Sequence, residues 1–313
     1  MLRWSLLAAT FVVWAAMMWL IYREYGPVAP TPQALSSTQA LEALFGERSA
    51  GRQSWGVYVD LRQLAQAQEG PPPNPYEGGK WEGEQAELLR AAQRAGARPG
   101  EIHIGTLAET VRRREETRAE VVTQMRLQLP AGYSTGLLQL LGELWYESRA
   151  NFSRGLGLED FSTKCSAGLG IEVIALGYRE GDRLKMVTSA FAGRNKKVLE
   201  QHHEQKLSGA SAPTLGLSPF FARPGIRLGD HWQVATLDTT SASGEARLVA
   251  FEARVVRNTR ITYHGKQTAV FEVQAQQGRQ KAAACYAPDG RVLVQHWRFA
   301  DLLDLTLVRD EEP

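Results

Sequence analysis

A thiol, a carboxylate and an imidazole lie close together near the end of the chain, at Cys285, Asp289 and His296. Such groups can form the triad of a cysteine nucleophile, in which the imidazole takes the thiol proton and the carboxylate orients the imidazole. Alternating apolar residues, however, place Cys285 on one strand and His296 on the next, joined by the turn Pro288-Asp289-Gly290. In a hairpin centred on that turn the two side chains are out of register. We therefore interpret them as structural residues and predict no catalytic residues and no enzyme activity.

The histidine pair His202-His203 is the second feature with the residue types of a chemical site. Adjacent residues on a strand point to opposite faces, so both cannot bind one metal ion without distortion. We interpret them as a solvent-facing pair. The sequence shows no further ligand cluster, and the pairs Gly155/Gly157 and Gly168/Gly170 lack the strand–helix context of a dinucleotide loop. We predict no metal site and no cofactor.

The two cysteines, Cys165 and Cys285, leave two alternatives open. A pair of cysteines in an oxidising compartment is compatible with one disulfide, which would stabilise the chain by closing a long loop. The alternative is two buried free thiols, because sequence does not place the two Cβ atoms.

The elements that must position these residues begin with an apolar segment at the N-terminus. The run from Trp4 to Tyr22 contains no charged residue, and its length is close to the roughly 20 residues that cross a bilayer as a helix. Aromatic residues at both ends suit the interfaces. We predict a membrane anchor over 1–25, with anchor residues Trp4, Trp14, Trp19 and Tyr22.

Two alternatives to the anchor are a cleaved signal peptide and a buried helix. The apolar run is longer than a signal peptide requires, and no small-x-small cleavage site follows it. Arg3 and the free amine lie before the run, whereas Arg23 and Glu24 follow it. This bias favours a cytoplasmic N-terminus. The predicted location is the bacterial inner membrane, with the remaining chain in the periplasm.

Beyond the anchor, residue patterns indicate a proline-rich linker over 26–36 and a mainly β domain over 37–313. Alternating segments begin at Ser54 and recur to the C-terminus, separated by glycine turns. The range 62–100 is predicted to be an insertion that contains a helix from Glu84 to Ala95. Leu137–Trp145 fits either a helix or the start of a strand over 143–153. The predicted fold is a large curled antiparallel sheet, a half-barrel, with a few short helices.

Charge excludes one class of partner. The chain has 36 basic and 34 acidic residues and a formal net charge of +2. That balance gives no electrostatic basis for binding nucleic acid. The basic run at 112–114 precedes two glutamates and is interpreted as a solvated strand end.

A series of turn residues resembles a known group of proteins. The segments Arg227–Asp238, Ala253–Val256, Thr262–Lys266 and Ala287–Leu293 together resemble the "G-D-x-W … D-G-x-V-L" pattern of bacterial extracytoplasmic β domains of unknown function. Some of those domains precede transglutaminase-like domains. The resemblance spans about 55–61 and 102–308, and the insertion 62–100 departs from it. It implies a fold similar to the lipoprotein-carrier type, a curled sheet around an apolar concavity.

Together these features predict a membrane-anchored, non-enzymatic envelope protein that binds a hydrophobic ligand, either a lipid, an acyl chain or an apolar peptide. The alternative is a scaffold that docks onto another envelope complex, or an accessory domain of a transglutaminase-like system encoded elsewhere. The side chains expected to cover the opening of the concavity and contact the ligand are Leu141, Trp145, Phe220 and Phe221.

Overall fold

The computed structural model describes residues 45, 51–60, 81–128, 143–167, 170–193, 196–206, 222–223, 225–238, 247–277, 280–299 and 303–311. All of them belong to one compact unit, Ala34–Pro313. The described part contains one helix with defined bounds, α1 (Trp81–Ala95). Its strands are β1 (Gly51–Asp60), β2 (Glu101–Glu115), β3 (Arg118–Gln128), β4 (Glu143–Ser153), β5 (Gly157–Ala167), β6 (Ile171–Glu180), β7 (Arg183–Ala192), β8 (Lys196–Lys206), β9 (His231–Asp238), β10 (Arg247–Tyr263), β11 (Lys266–Gln277), β12 (Gln280–Tyr286), β13 (Val292–Phe299) and β14 (Leu303–Arg309).

The strands form a single sheet in the order β8-β7-β6-β5-β4-β3-β2-β1-β14-β13-β12-β11-β10-β9. Each strand pairs antiparallel with its neighbours, which confirms the prediction of one large antiparallel sheet. The first strand pairs with the last, so Trp55 lies opposite Arg309 in the middle of the sheet. Among the described strands, β8 and β9 are the two edges, and the sheet is therefore not closed.

The two faces of the sheet differ in what they bury. We call the face that carries Trp55, Val57 and Val59 the inner face, because these side chains belong to the largest apolar cluster. That cluster extends from Leu144 on β4 to Trp232 on β9. Burial of apolar side chains on this face is the main favourable contribution to folding of an antiparallel sheet.

The opposite, outer face is covered in its centre by α1. Ala92 and Ala97 pack against Tyr58, Val294 and Val308 in a separate apolar cluster. The predicted insertion 62–100 thus supplies a helix that buries part of the sheet, and removing that helix would expose the cluster.

The turn between β10 and β11 supplies hydrogen-bond donors for the last carbonyl groups of this helix. The N–H groups of His264 and Gly265 donate to the carbonyls of Ala95 (3.2 Å) and Arg94 (2.8 Å), which have no partner within the helix. Both turn residues have positive φ, 46° and 76°, as a two-residue hairpin turn requires. Gly96, at φ 119°, follows the helix as the predicted stop.

Several sequence predictions need correction or completion. Strand β10 continues through a β-bulge between Val255 and Arg257, which absorbs the irregularity in pairing without a turn. The ambiguous segment is a strand from Glu143 onward, whereas 137–142 lies outside the described residues. In place of the few short helices predicted, the structure defines the bounds of α1 alone among the described residues; Phe45 is also helical and buried.

Candidate functional site

The inner face is filled by aromatic side chains in the half of the sheet formed by β9–β14. Trp232 and Tyr286 are both almost fully buried, and their rings meet edge to face with centroids 6.4 Å apart. The Arg223 guanidinium lies 4.3 Å from the centroid of the Trp232 ring, where a cation is attracted by the π electrons. Burial lowers the pKa of Arg223 from its usual value. This half of the inner face is occupied by the protein's own side chains.

A cavity of about 680 Å³ lies at the other half of the sheet, where β3, β4 and β5 have their ends. Trp145 lines it from the outer face, because its cross-strand partners Arg126 and Ser166 also lie on the face opposite the inner apolar cluster. Its polar lining includes Arg126. A cavity of this size with mixed apolar and polar walls is typical of small-molecule sites at the mouth of a β-barrel.

The predicted ligand residues have different outcomes. Trp145 is half-buried on β4 and contributes to this cavity. The other three, Leu141, Phe220 and Phe221, lie outside the described residues, so their part in a ligand site stays a prediction. Sequence reasoning did not identify the polar side chains that share this cavity with Trp145, among them Arg126.

A second cavity, of about 590 Å³, lies on the outer face beside the turn that follows α1. Its floor contains a chain of three hydrogen-bonded side chains. His296 Nδ1 lies 2.8 Å from Thr306 Oγ1, and Thr306 Oγ1 donates to Glu101 Oε1 at 2.5 Å. The Arg98 backbone N–H donates to the other carboxylate oxygen at 2.7 Å. With Thr306 donating to the glutamate, Nδ1 of the histidine acts as the donor to Thr306.

Burial determines the protonation of this chain. It holds the pKa of His296 at about 3, with a further lowering from the charge of Arg98, so the imidazole is neutral at physiological pH. Burial also raises the pKa of Glu101, against the hydrogen bonds that favour its charged form. A histidine with so low a pKa is a poor general base near neutral pH. These three hydrogen-bonded side chains are better suited to holding the turn after α1 on the sheet.

Cys285, His296 and Asp289 do not form a catalytic triad. Cys285 pairs with Val294, and His296 pairs with Ala283, so the thiol and the imidazole share a face but are two positions out of register, as predicted. Asp289 hydrogen-bonds to the side chain of Arg291. Burial raises the pKa of Cys285 to about 11, which leaves little of the thiolate that nucleophilic attack requires.

Of the two alternatives for the cysteines, the structure has free thiols. Cys165 lies on β5 and packs against the inner apolar cluster, whereas Cys285 lies on β12 and packs against the outer cluster under α1. The two residues are thus on opposite faces and on strands that are far apart in the sheet. Burial raises the pKa of Cys165 to about 11 as well.

Only one residue of the histidine pair faces solvent. His202 faces solvent beside Glu200, 3.3 Å away. His203 points to the inner face opposite Met186, and its Nε2 is buried without a hydrogen-bond partner among the described residues. The expectation that both face solvent is therefore wrong for His203. No group of three or more metal-binding side chains occurs in the described ranges.

The predicted anchor lies outside the described residues, including Trp4, Trp14, Trp19 and Tyr22. Within the part of the chain that the structure describes, no helix combines the length and the apolar character needed to span a membrane.

Comparison with known proteins shows a likeness to a solved structure. No protein-family model matches the chain, and no curated protein matches it. Among solved structures it is similar to the crystal structure of a β-barrel-like protein of a domain of unknown function (DUF1849) from Brucella abortus, at 8% sequence identity and a TM-score of 0.37. The likeness covers 83% of this chain and 95% of that chain. This likeness carries no conclusion about family, ligand or mechanism.

Proposed function

We propose that the chain is a non-enzymatic, membrane-anchored envelope protein whose β domain binds a hydrophobic ligand, either a lipid, an acyl chain or an apolar peptide. The observation that carries the proposal is the cavity of about 680 Å³ beside Trp145, because it presents an aromatic ring among polar side chains at the ends of β3, β4 and β5. An apolar group seated there would bury its surface against Trp145, at roughly 25 cal/mol per Å².

The polar side chains around this cavity supply orientation. Glu143, Gln124 and Thr106 lie with Arg126 among its lining residues. A few polar groups around an apolar wall fix the direction in which an amphipathic ligand enters. The competing function, a scaffold or an accessory domain of a transglutaminase-like system, rests on the sequence resemblance alone.

The anchor over 4–22 places this domain at one membrane surface in the proposal. Protease added to intact spheroplasts should cleave an epitope placed after residue 313, and should leave an epitope at the N-terminus protected. Protection of the C-terminal epitope would contradict the periplasmic location.

Ligand binding is tested on the full chain purified in detergent. Native mass spectrometry should detect co-purified lipid, and the fluorescent hydrocarbon diphenylhexatriene should bind saturably. Trp145→Ala should weaken probe binding at least fivefold, because it removes one wall of the cavity. The control is Leu228→Ala, since Leu228 is exposed and outside the cavity lining. Absence of both co-purified lipid and saturable probe binding would refute the proposal.

A further inference from the structure

Two charged side chains beside Trp145 lack the partners that the other charged residues of the neighbouring strands have. Arg126 and Glu143 are both exposed, and both line the cavity at the ends of β3, β4 and β5. Neither the Arg126 guanidinium nor the Glu143 carboxylate forms an ion pair or a hydrogen bond with another described residue. One positive and one negative charge are therefore available to a ligand in this cavity.

The remaining charged side chains of strands β3 to β7 all have a partner. The basic ones bond to carboxylates or to backbone carbonyls: Arg118, Arg149, Lys164, Arg179, Arg183 and Lys185. The acidic ones bond to basic side chains or to an amide: Glu120, Glu147, Glu159, Asp160, Glu172 and Glu180. Within these five strands, as far as the structure describes them, the unpartnered charges are confined to one cavity.

The strand register places both charges next to Trp145 on the outer face. Arg126 pairs directly with Trp145, whereas Glu143 lies two residues before Trp145 on the same strand and pairs with Gln128. Glu143 is thus the diagonal neighbour of Arg126, and diagonal neighbours on adjacent strands are about 7–8 Å apart. Opposite charges at this separation, without a direct bond, leave room for a ligand that contacts both and the indole ring between them.

We propose that the hydrophobic ligand of this cavity carries a zwitterionic head group of the phosphoethanolamine type. This inference rests on the proposed function. The guanidinium of Arg126 would donate to the phosphate oxygens, because its planar fork of N–H groups matches that geometry. Glu143 would accept N–H bonds from the ammonium group, and the first part of the acyl chain would lie against Trp145. The cavity, of about 680 Å³, is within the size range of small-ligand sites.

The charge balance at the cavity favours a head group with both signs over one with a single sign. The nearest further carboxylate, Glu147, already accepts hydrogen bonds from Gln124 at 3.0 Å and from Arg149 at 2.8 Å. These bonds, first the one from Gln124, lower the pKa of Glu147 and offset its charge within the chain. A purely anionic head group would pair with Arg126 but meet the charge of Glu143, and a cationic one would do the reverse. A phosphate joined to an ammonium satisfies both side chains.

The test compares two single-chain lipids on the full chain in a non-ionic detergent, with affinities measured by native mass spectrometry. Oleoyl lysophosphatidylethanolamine and oleoyl lysophosphatidylglycerol share the acyl chain and the phosphate, and only the first has an ammonium group. The wild type should bind the ethanolamine lipid at least fivefold more tightly than the glycerol lipid. Arg126→Gln should weaken binding of both lipids at least fivefold, because both carry the phosphate. Glu143→Gln should weaken binding of the ethanolamine lipid alone.

The matched controls change the same charges at a site away from the cavity. Arg183 on β7 and Glu204 on β8 are exposed and form an ion pair with each other. Arg183→Gln and Glu204→Gln should leave both affinities within twofold of the wild type, because neither residue lines the cavity.

Distinct outcomes separate this inference from the proposed function. Equal affinity of the wild type for the two lipids would overturn the zwitterionic head group, and this result depends on no variant. A Glu143→Gln variant that kept the preference for the ethanolamine lipid would overturn the bond between Glu143 and the ammonium. Saturable binding of diphenylhexatriene in either case would leave the proposed function standing. If the wild type bound neither lipid nor the hydrocarbon, the proposed function itself would fail.

Discussion

Replacing Thr123 with valine should stabilise the ligand-free protein, although the residue lies in the middle of a buried sheet. The Thr123 hydroxyl is buried and has no partner among the described residues. Burying such a group costs about 1–3 kcal/mol, and valine has nearly the same shape and a high preference for strands. We therefore expect the free energy of unfolding to rise by about 1–2 kcal/mol.

The matched control is Thr163→Val, two strands along the sheet from Thr123. Its hydroxyl shares a buried hydrogen bond with Ser148, at 3.3 Å, so the substitution leaves Ser148 without that partner. This variant should lose about 1–2 kcal/mol. Guanidinium unfolding, followed by circular dichroism, measures the free energy of unfolding of both variants, which are compared at equal dependence on denaturant concentration. If Thr123→Val destabilised the protein as much as Thr163→Val does, the Thr123 hydroxyl would have a partner, and the inference of a buried, unpartnered hydroxyl would fail.

Two further predictions concern packing and pH. Gly177→Ala should destabilise the protein by about 3 kcal/mol, because the added Cβ would lie 2.1 Å from Cε1 of the Phe161 ring, whereas Gly155→Ala meets nothing within 4 Å and should be neutral by thermal unfolding. Burial holds the pKa of His296 at about 3, below the roughly 6.5 of an unfolded chain. The unfolded state therefore binds the proton first as the pH falls. The free energy of unfolding should decrease between pH 6.5 and 3, by up to about 1.4 kcal/mol per pH unit. The variant His296→Gln should lose that part of the dependence of unfolding free energy on pH between pH 7 and 5. The raised pKa of Glu101 acts in the opposite direction in both proteins. An identical pH dependence in the two proteins would contradict the buried, neutral imidazole.

The sheet was largely predictable because its alternation is local. On β3, Val121, Thr123, Met125 and Leu127 share a face in the structure as the period of two indicates. The exception on this strand is Glu120, which lies on the opposite face yet is buried in an ion pair with Arg114, at 3.0 Å. The residue pattern of one strand does not show which side chains of a neighbouring strand it will meet.

Neither the outer cavity nor the line of polar side chains across the inner face was predictable, for the same reason. Thr123, Ser148 and Thr163 each look like ordinary strand residues, and only the register of two strand pairs, β3–β4 and β4–β5, places them side by side. Likewise, Glu101 and Thr306 are far apart in sequence and meet because β1 lies between β2 and β14. Sequence composition identified the residue types, and long-range pairing determined which of them meet.

The pairing of β1 with β14 has a consequence for the order of folding. Strands β2 to β8 can pair as they are synthesised, because each follows its partner along the chain. β1 has its second neighbour only when β14 is available, since Val57 must pair with Leu307. Contacts of such large sequence separation slow folding. Until then the inner side chains of β1 lie at an open edge, so the emerging chain has an interval in which it is open to aggregation or to a chaperone.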